Sequence, residues 1–339
     1  MSVQTMKAAR FHAFGAPEVL VYEDAPRPEA RAGEILVRVR AAGLNPPDWY
    51  FREGFTALPE EWRPTVDFPA IPGTDISGEV EAVGDGVSGF SIGDEVFAMV
   101  NFPEGMAGGS RGYAQYVAVP ASHAAIKPAG VDHVHAAGAP MSLLTAWQFL
   151  VELGHEEANP LQPGPHLPVP LDGKTVLVNA AAGGVGHFAV QIAKLKGARV
   201  IAVASGKHEV LLRDLGVDEF IDYGKTTPED FVRDLDLVVD ALGGPTSSRF
   251  LRTLKRGGAL FPIFPLGFDG HDEAEALGVT VSATQVRSNG AQLAELVPLL
   301  ASGAIRVVID STYPLPDASK AHARAAEGHL QGKLVLTVD

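Results

Sequence analysis

Cysteine is absent from this 339-residue chain. That excludes disulfides, thiolate zinc sites, iron–sulfur clusters and a thiol nucleophile. Positive charge is scarce as well: 27 Lys and Arg stand against 41 Asp and Glu, a formal charge of −14. An acidic surface repels phosphate backbones, so nucleic acid is not an expected partner. Uninterrupted apolar runs are missing too. The 19-residue stretches 133–151 and 175–193 lack Asp, Glu, Lys and Arg. The first nevertheless holds His133, His135, Pro140 and Gln148, and the second holds Asn179, a Gly183-Gly184 pair and His187. A spanning helix needs about 20 predominantly apolar residues. Both stretches therefore read as buried elements of a soluble protein with no membrane partner. Met1-Ser2-Val3-Gln4-Thr5 opens no apolar signal segment. The cytoplasm is the expected compartment.

What is present is a 46% hydrophobic chain, too apolar for disorder and long enough for about two domains of ~150 residues. Gly and Pro punctuate the first 130 residues and separate short strand-like runs. In 34–41, Ile35, Val37, Val39 and Ala41 alternate as a half-buried strand would. Runs 76–83, 94–99 and 115–119 are similar, which predicts a β-rich unit. Residues 137–153 have helical length and spacing, and 155–172 carries five prolines and reads as an ordered loop or linker. From Gly173 the chain alternates. Strands are predicted over 174–179, 198–204, 219–222, 236–242, 258–263 and 279–283, with helices over 184–196, 208–215 and 245–254. Such alternation predicts a doubly wound parallel sheet in an α/β protein. The C-terminal part adds helices over 291–302 and 317–327 and strands over 306–309 and 333–338.

A glycine-rich turn lies between the first strand and helix of that alternation. Ala181, Gly183 and Gly186 fall on the three positions of a G-x-G-x-x-G turn, with Gly184 and Val185 inside it. Only the first glycine is replaced. A pyrophosphate needs close approach to the backbone and the N–H groups of a helix N-terminus. The alternative is an ordinary tight turn, but strand before and helix after favour a dinucleotide. The next strand ends near Ser205, 19 residues after Gly186, where NAD enzymes usually carry an acid for the ribose hydroxyls. Here Ser205-Gly206-Lys207-His208 offers a hydroxyl and a cation, with Glu209 the first acid to follow. That suits the 2′-phosphate of NADP(H); the alternative is a helix start with Ser205 as cap and Lys207 solvated.

Several further motifs occur in order. They are Asn45-Pro46-Pro47-Asp48-Trp49-Tyr50, Pro72-Gly73-Thr74-Asp75-Ile76-Ser77-Gly78-Glu79-Val80, and Val83-Gly84-Asp85-Gly86-Val87. Phe90-Ser91-Ile92-Gly93-Asp94-Glu95-Val96, Gly112-Tyr113-Ala114-Gln115-Tyr116-Val117, Leu144-Thr145-Ala146-Trp147 and Gly332-Lys333-Leu334-Val335-Leu336 complete the series. With them the chain resembles the medium-chain dehydrogenase/reductase superfamily, and within it the zinc-independent quinone oxidoreductases of the ζ-crystallin-like family. The resemblance implies a Rossmann NADP-binding domain over 136–285 and a GroES-like β-rich catalytic domain over 1–135 and 286–339. The cleft between them is the expected active site. It also implies a homodimer or homotetramer. Zinc-dependent relatives carry Cys at the position of Leu44, His-Glu at Thr74-Asp75, and a Cys-bearing lobe within 101–112. No metal is therefore expected. His133 and His135, a close pair, are assigned a helix-edge role.

The resemblance places residues matching Asn45 and Tyr50 beside the nicotinamide or substrate, where Asn45 has an amide to donate and Tyr50 a phenol or a stacking face. Asp48 is expected to orient that loop, which also reads as a turn. Arg52 either attracts an anionic substrate or caps the rim. Thr145 matches a position beside the nicotinamide, its alternative being a core helix. Tyr223 matches a tyrosine near the adenosine phosphate, its alternative an edge aromatic. Leu242 and Gly243 end a strand at the cleft, while Ile263 and Phe264 resemble the segment whose backbone meets the carboxamide. Lys333 resembles a cofactor-side lysine, with a surface strand lysine as the alternative. The implied activity is hydride transfer from NADPH to a quinone or α,β-unsaturated carbonyl, with a stabilised oxyanion as product. Two alternatives remain at this stage. One is a 2-enoyl thioester reductase, whose usual Tyr after the glycine following the Asn-Pro motif is here Phe55. The other is a non-catalytic nucleotide-binding protein.

Overall fold

Alternating apolar residues in the first third of the chain produce antiparallel strands. The computed structural model describes residues 4–105, 111–156, 162 and 164–339. Strands β1 (Thr5–Arg10) and β2 (Val21–Pro26) form a ribbon, followed by β3 (Glu34–Gly43), β4 (Asp75–Val83), β5 (Glu95–Met99), β6 (Tyr116–Pro120) and β7 (Ala124–Ile126). Ile35, Val37, Val39 and Ala41 are buried on β3 as their alternation predicts. Leu36 and Ala42 are buried as well, because β3 is a central strand paired with both β4 and β6.

The second sheet is parallel throughout. It contains β8 (Thr175–Asn179), β9 (Arg199–Ala204), β10 (Glu219–Asp222), β11 (Leu235–Asp240), β12 (Leu254–Pro262) and β13 (Thr280–Val281) in the order β10-β9-β8-β11-β12-β13. Apolar residues cover both faces. Val176, Val178 and Phe188 join one core cluster, and Leu177, Val238 and Phe250 another. The strand order reverses between β8 and β11, and in open α/β sheets ligands bind in the crevice at the carboxyl ends of the strands at that point. The chain then returns to the first sheet. β14 (Ile309–Pro314) pairs with β15 (Lys333–Thr337), and β15 runs antiparallel to β3. The start of β15 thereby reaches the parallel sheet's glycine-rich turn: the Gly332 N–H donates to the Ala182 carbonyl at 2.7 Å.

Several expected elements are corrected. The helix over 137–153 is two helices, α2 (His133–Ala137), capped by the Asp132 side chain, and α3 (Pro140–Leu150). Pro140 lacks the N–H that a continuous helix requires and instead starts the second one. Pro245–Thr253 is a 3-10 helix rather than an α-helix. Ser248 and Thr253 hydroxyls bond back to the carbonyls three residues earlier, at 3.4 and 2.6 Å, in keeping with the tighter winding. The strand over 279–283 stops at Val281, where Ser282 turns to pair with His166. The strand expected over 306–309 begins only at Ile309. Arg306 is instead bonded through both its N–H and its carbonyl to the Gln191 amide. The expected 155–172 loop lies partly outside the described residues, at 157–161 and 163, and the 101–112 stretch does so at 106–110.

Candidate active site

The Asn45 segment opens helix α1 (Pro46–Arg52), whose first two positions are prolines preset for a helical start. Asp48 fastens that start. Its carboxylate accepts the Asn45 N–H at 2.9 Å, the Gly73 N–H at 3.2 Å and the Tyr113 hydroxyl at 3.2 Å. Full burial strips solvent from the charge and pushes its pKa up to about 6, the three hydrogen bonds and Lys333 acting in the opposite direction.

The Asn45 side chain is fully engaged. Its amide nitrogen donates to Thr74 Oγ1 at 3.0 Å and Asp75 Oδ2 at 2.9 Å, and its oxygen accepts from Lys333 Nζ. No amide hydrogen is left for a substrate carbonyl, so the expected donor role is corrected to one of shaping the cavity floor. Arg52 is corrected as well. It is buried away from the cleft, where its Nε donates to the Gly15 carbonyl at 3.0 Å and its Nη1 to His322 Nδ1 at 2.8 Å, while Nη2 pairs with Glu53. His322 Nε2 faces the Tyr113 hydroxyl at 3.3 Å, which links Arg52 to Asp48 through buried groups. Burial and the Arg52 charge push the His322 pKa down to about 3, which keeps its ring neutral. Arg52 serves the scaffold and neither caps a rim nor faces a substrate.

Lys333 is not a surface lysine. It is 3% exposed, and its ammonium donates to the Leu44 carbonyl at 2.8 Å, to Ser142 Oγ at 3.2 Å and to Asn45. Burial lowers its pKa and raises that of Asp75, and the attraction between the two opposes both shifts. Asp75 also accepts the Met141 N–H at the start of α3, at 3.0 and 3.1 Å.

Above this floor lies a cavity of about 230 Å³. Asn45, Tyr50, Thr145, Val185, Leu242, Ile263 and Phe264 all line it, so residues singled out from five separate parts of the sequence meet there. Phe55, Leu58 and Phe149 add apolar wall. The Tyr50 and Phe264 rings stand 6.1 Å apart, and burial followed by the Glu53 charge raises the Tyr50 phenol pKa. Thr145 Oγ1 bonds back to the Met141 carbonyl at 2.7 Å, so its hydroxyl hydrogen is used within its own helix. Ser142 is a lining residue that spacing did not reveal. It accepts from Lys333, which leaves its hydroxyl hydrogen to donate into the cavity.

The glycine-rich turn fits a dinucleotide. Helix α4 (Gly186–Leu195) starts at Gly186, where a Cβ would sit 2.2 Å from the Ala180 carbonyl oxygen. Only glycine permits that close packing of helix on strand. Ala181 is buried under the turn, whereas Gly183 and Gly184 are partly open. Gly243, with φ +67°, lets the end of β11 approach the Phe264 segment; a Cβ there would lie 2.3 Å from the Phe264 oxygen.

Farther along the sheet edge the structure gathers Ser205, Lys207 and Tyr223. Ser205 makes no side-chain cap bond. Lys207 Nζ donates to the His329 carbonyl at 3.2 Å, and the Tyr223 hydroxyl lies 3.2 Å from His329 Nδ1. His329 was not foreseen, being 122 residues from Lys207. Asp222 adds a carboxylate that the local stretch 205–208 does not show: Oδ2 lies 2.4 Å from where a Gly206 Cβ would stand. Lys225 is 3.6 Å from that carboxylate.

The described residues at the positions of the zinc ligands do not suit zinc. Leu44 presents an apolar side chain and a carbonyl already taken by Lys333, and Thr74 and Asp75 are bonded to Asn45. Among the described residues no three His, Cys, Asp or Glu are grouped to hold a metal. His133 and His135 diverge, the first to Ser77 and Glu95, the second to Asp132.

Comparison with known proteins agrees with this geometry. Residues 31–129 match the alcohol dehydrogenase GroES-like domain, and 215–336 match the family described as zinc-binding dehydrogenase. A chloroplast envelope quinone oxidoreductase homolog of Arabidopsis thaliana is 32% identical, with 99% of each chain covered. An NADPH-dependent alkenal/one oxidoreductase of the same plant is 33% identical over 98% of this chain and 79% of its own. The solved quinone oxidoreductase of Coxiella burnetii superposes with a TM-score of 0.83 at 31% identity, covering 99% of this chain and all of its own. No helix among the described residues is long and apolar enough to cross a membrane. The chain belongs to the medium-chain dehydrogenase/reductase superfamily, among the quinone oxidoreductases, and is an oxidoreductase that works with a nicotinamide cofactor.

Proposed function

We propose that this protein uses NADPH to reduce a quinone or an α,β-unsaturated carbonyl compound without zinc. The observation that carries this reading is the buried Lys333 ammonium on the Leu44 carbonyl, beside Asn45 and Ser142. A fixed cation and its hydrogen-bond partners occupy the floor on which the expected zinc ligands are missing. When bound, the nicotinamide supplies hydride. The protein's part is to hold an apolar, planar acceptor between Tyr50, Phe149 and Phe264 and to exclude water from it.

As hydride adds to the carbon conjugated with a carbonyl, charge develops on the carbonyl oxygen. Ser142, polarised by Lys333, is placed to donate to such an oxygen, and Tyr50 offers a second hydroxyl at the cavity wall. A hydrogen bond from a preorganised donor lowers the barrier without a strong acid, and solvent then protonates the product. The Lys207, Tyr223 and His329 group is the proposed seat of the adenosine 2′-phosphate. Lys225 offsets the nearby Asp222 charge there.

The test is steady-state turnover of chelator-treated protein with NADPH or NADH against quinones, enones and enoyl thioesters, with metal analysis alongside. Reduction of quinones or enones by zinc-free protein, with NADPH preferred, is expected. A preference for enoyl thioesters, binding without turnover, or activity that needs added zinc would each overturn the reading.

A further inference from the structure

Two described residues of the proline-rich stretch 155–172, Gln162 and His166, pack against the wall of the cavity. His166 is wholly buried, its ring packed in one cluster with those of Phe149 and Phe261 at centroid distances of 5.0 and 4.6 Å. Its Nε2 lies 3.0 Å from the Phe149 carbonyl, which can only accept, so the proton is assigned to Nε2. Nδ1 then accepts from the Ser282 hydroxyl at 2.9 Å. Burial lowers the ring's pKa and keeps it in this neutral form.

Gln162 reaches the same wall at a second point. It is 2% exposed. Its Oε1 accepts from the Thr284 hydroxyl at 2.7 Å and stands 3.4 Å from the Gln285 N–H. His155 Nε2 lies 3.3 Å from the same Thr284 hydroxyl. Phe149, Thr284 and Gln285 all line the cavity. His166 therefore joins the end of α3 to the segment after β13, and Gln162 holds that segment at a second point, although the two pieces of wall share no strand or helix. These bonds connect buried polar groups, each of which is costly to leave unpaired. They fix the wall in a single arrangement.

We propose that His166 and Gln162 are positioning residues that set the depth of the cavity and so select acceptors by the size of their apolar part. This inference rests on the function proposed above. An acceptor's carbonyl end meets Ser142 and Tyr50, and its apolar end meets the wall these two residues brace. Substitution of either brace lets Phe149 or Thr284 relax outward and admits bulkier acceptors.

The test uses full-length His166→Phe, Gln162→Leu and the conservative His166→Gln, assayed on straight-chain enones of increasing length. His166→Phe and Gln162→Leu are expected to change the ratio of kcat/KM between the longest and shortest enone by at least about tenfold, mainly through KM. NADPH affinity should stay within about twofold, and His166→Gln should restore the wild-type order. The inference is overturned if all enones lose activity in equal proportion, or if the order is unchanged in Gln162→Leu. Wild-type protein that binds NADPH but reduces none of the series would sink the function reading instead. Fluorescence quenching by the same enones then decides the inference: an order of affinities that both variants leave unaltered, or no saturable binding, overturns it.

Discussion

Lys333 Nζ and the Leu44 carbonyl oxygen are 2.8 Å apart, 289 residues distant in the chain, and closed off from solvent. This contact joins the last strand to the loop that opens α1. It also brings a cation to within reach of Asn45, whose amide carries the link on to Asp75. The same strand start holds the glycine-rich turn through Gly332 and Ala182. The nucleotide turn and the cavity floor thus share one rigid support.

Lys333→Met is expected to be strongly destabilising. It removes the nearby cation that opposes the desolvation of buried Asp75, and it leaves the Leu44 carbonyl and the Asn45 side-chain oxygen without their donor, so the urea midpoint should fall. Combining it with Asp75→Asn removes the orphaned charge and should recover part of the loss. Urea unfolding of the wild type, the single variant and the double variant measures both effects. Equal stability of Lys333→Met and wild type would rule out a structural role for the buried ammonium.

Ser142→Ala removes the hydroxyl that Lys333 polarises at the edge of the cavity. Loss of one oxyanion donor typically lowers kcat about 10²–10³-fold. The expected result is a fall of about 10²-fold in kcat with quinone or enone and little change in the KM for NADPH. A normal kcat would mean that Ser142 only anchors Lys333.

Much of the parallel sheet was legible in the sequence because its signals are local: alternation of strand and helix, a turn with Gly183 and Gly186, a hydroxyl and lysine after the next strand. The site was legible only in part. Asn45, Tyr50, Thr145, Ile263 and Phe264 line one cavity. The hydrogen bonds that decide what each does were not visible, since they join distant positions. Arg52 next to the Asn45 motif looks like a rim cation, but its partner His322 is 270 residues away and draws it inward. Asn45 looks like a donor until Thr74 and Asp75 are seen to take both of its amide hydrogens. The short β13 was over-extended for a similar reason. Its apolar residues continue past Val281, but Ser282 is claimed by His166 from a loop 116 residues earlier.

Lys207→Glu is expected to weaken NADPH far more than NADH. The exposed ammonium sits at the end of β9 beside Tyr223 and His329. A hydrogen bond to a charged group contributes about 1.5–3 kcal/mol, so NADPH affinity should fall at least about tenfold. The new carboxylate also adds to Asp222 near Gly206. Titration of both nucleotides against wild type and variant measures the ratio. An unchanged preference would remove the 2′-phosphate from this end of the sheet.

Asp48 provides a pH test of the scaffold beneath the site. Burial raises its pKa to about 6 from the ordinary 3.8, so the folded protein holds this proton more tightly than the unfolded chain does. The stability that comes with the bound proton is fully present below about pH 4 and is lost as the pH rises through about 6. The separation corresponds to about 3 kcal/mol. Asp48→Asn cannot titrate there, so the variant should gain on the wild type by up to that amount between pH 4 and pH 7. Urea unfolding of both proteins at each pH cancels the contribution of the other carboxylates. A constant difference across the range would show that the three hydrogen bonds from Asn45, Gly73 and Tyr113 already compensate the buried charge, leaving Asp48 ionised in the fold at all those pH values.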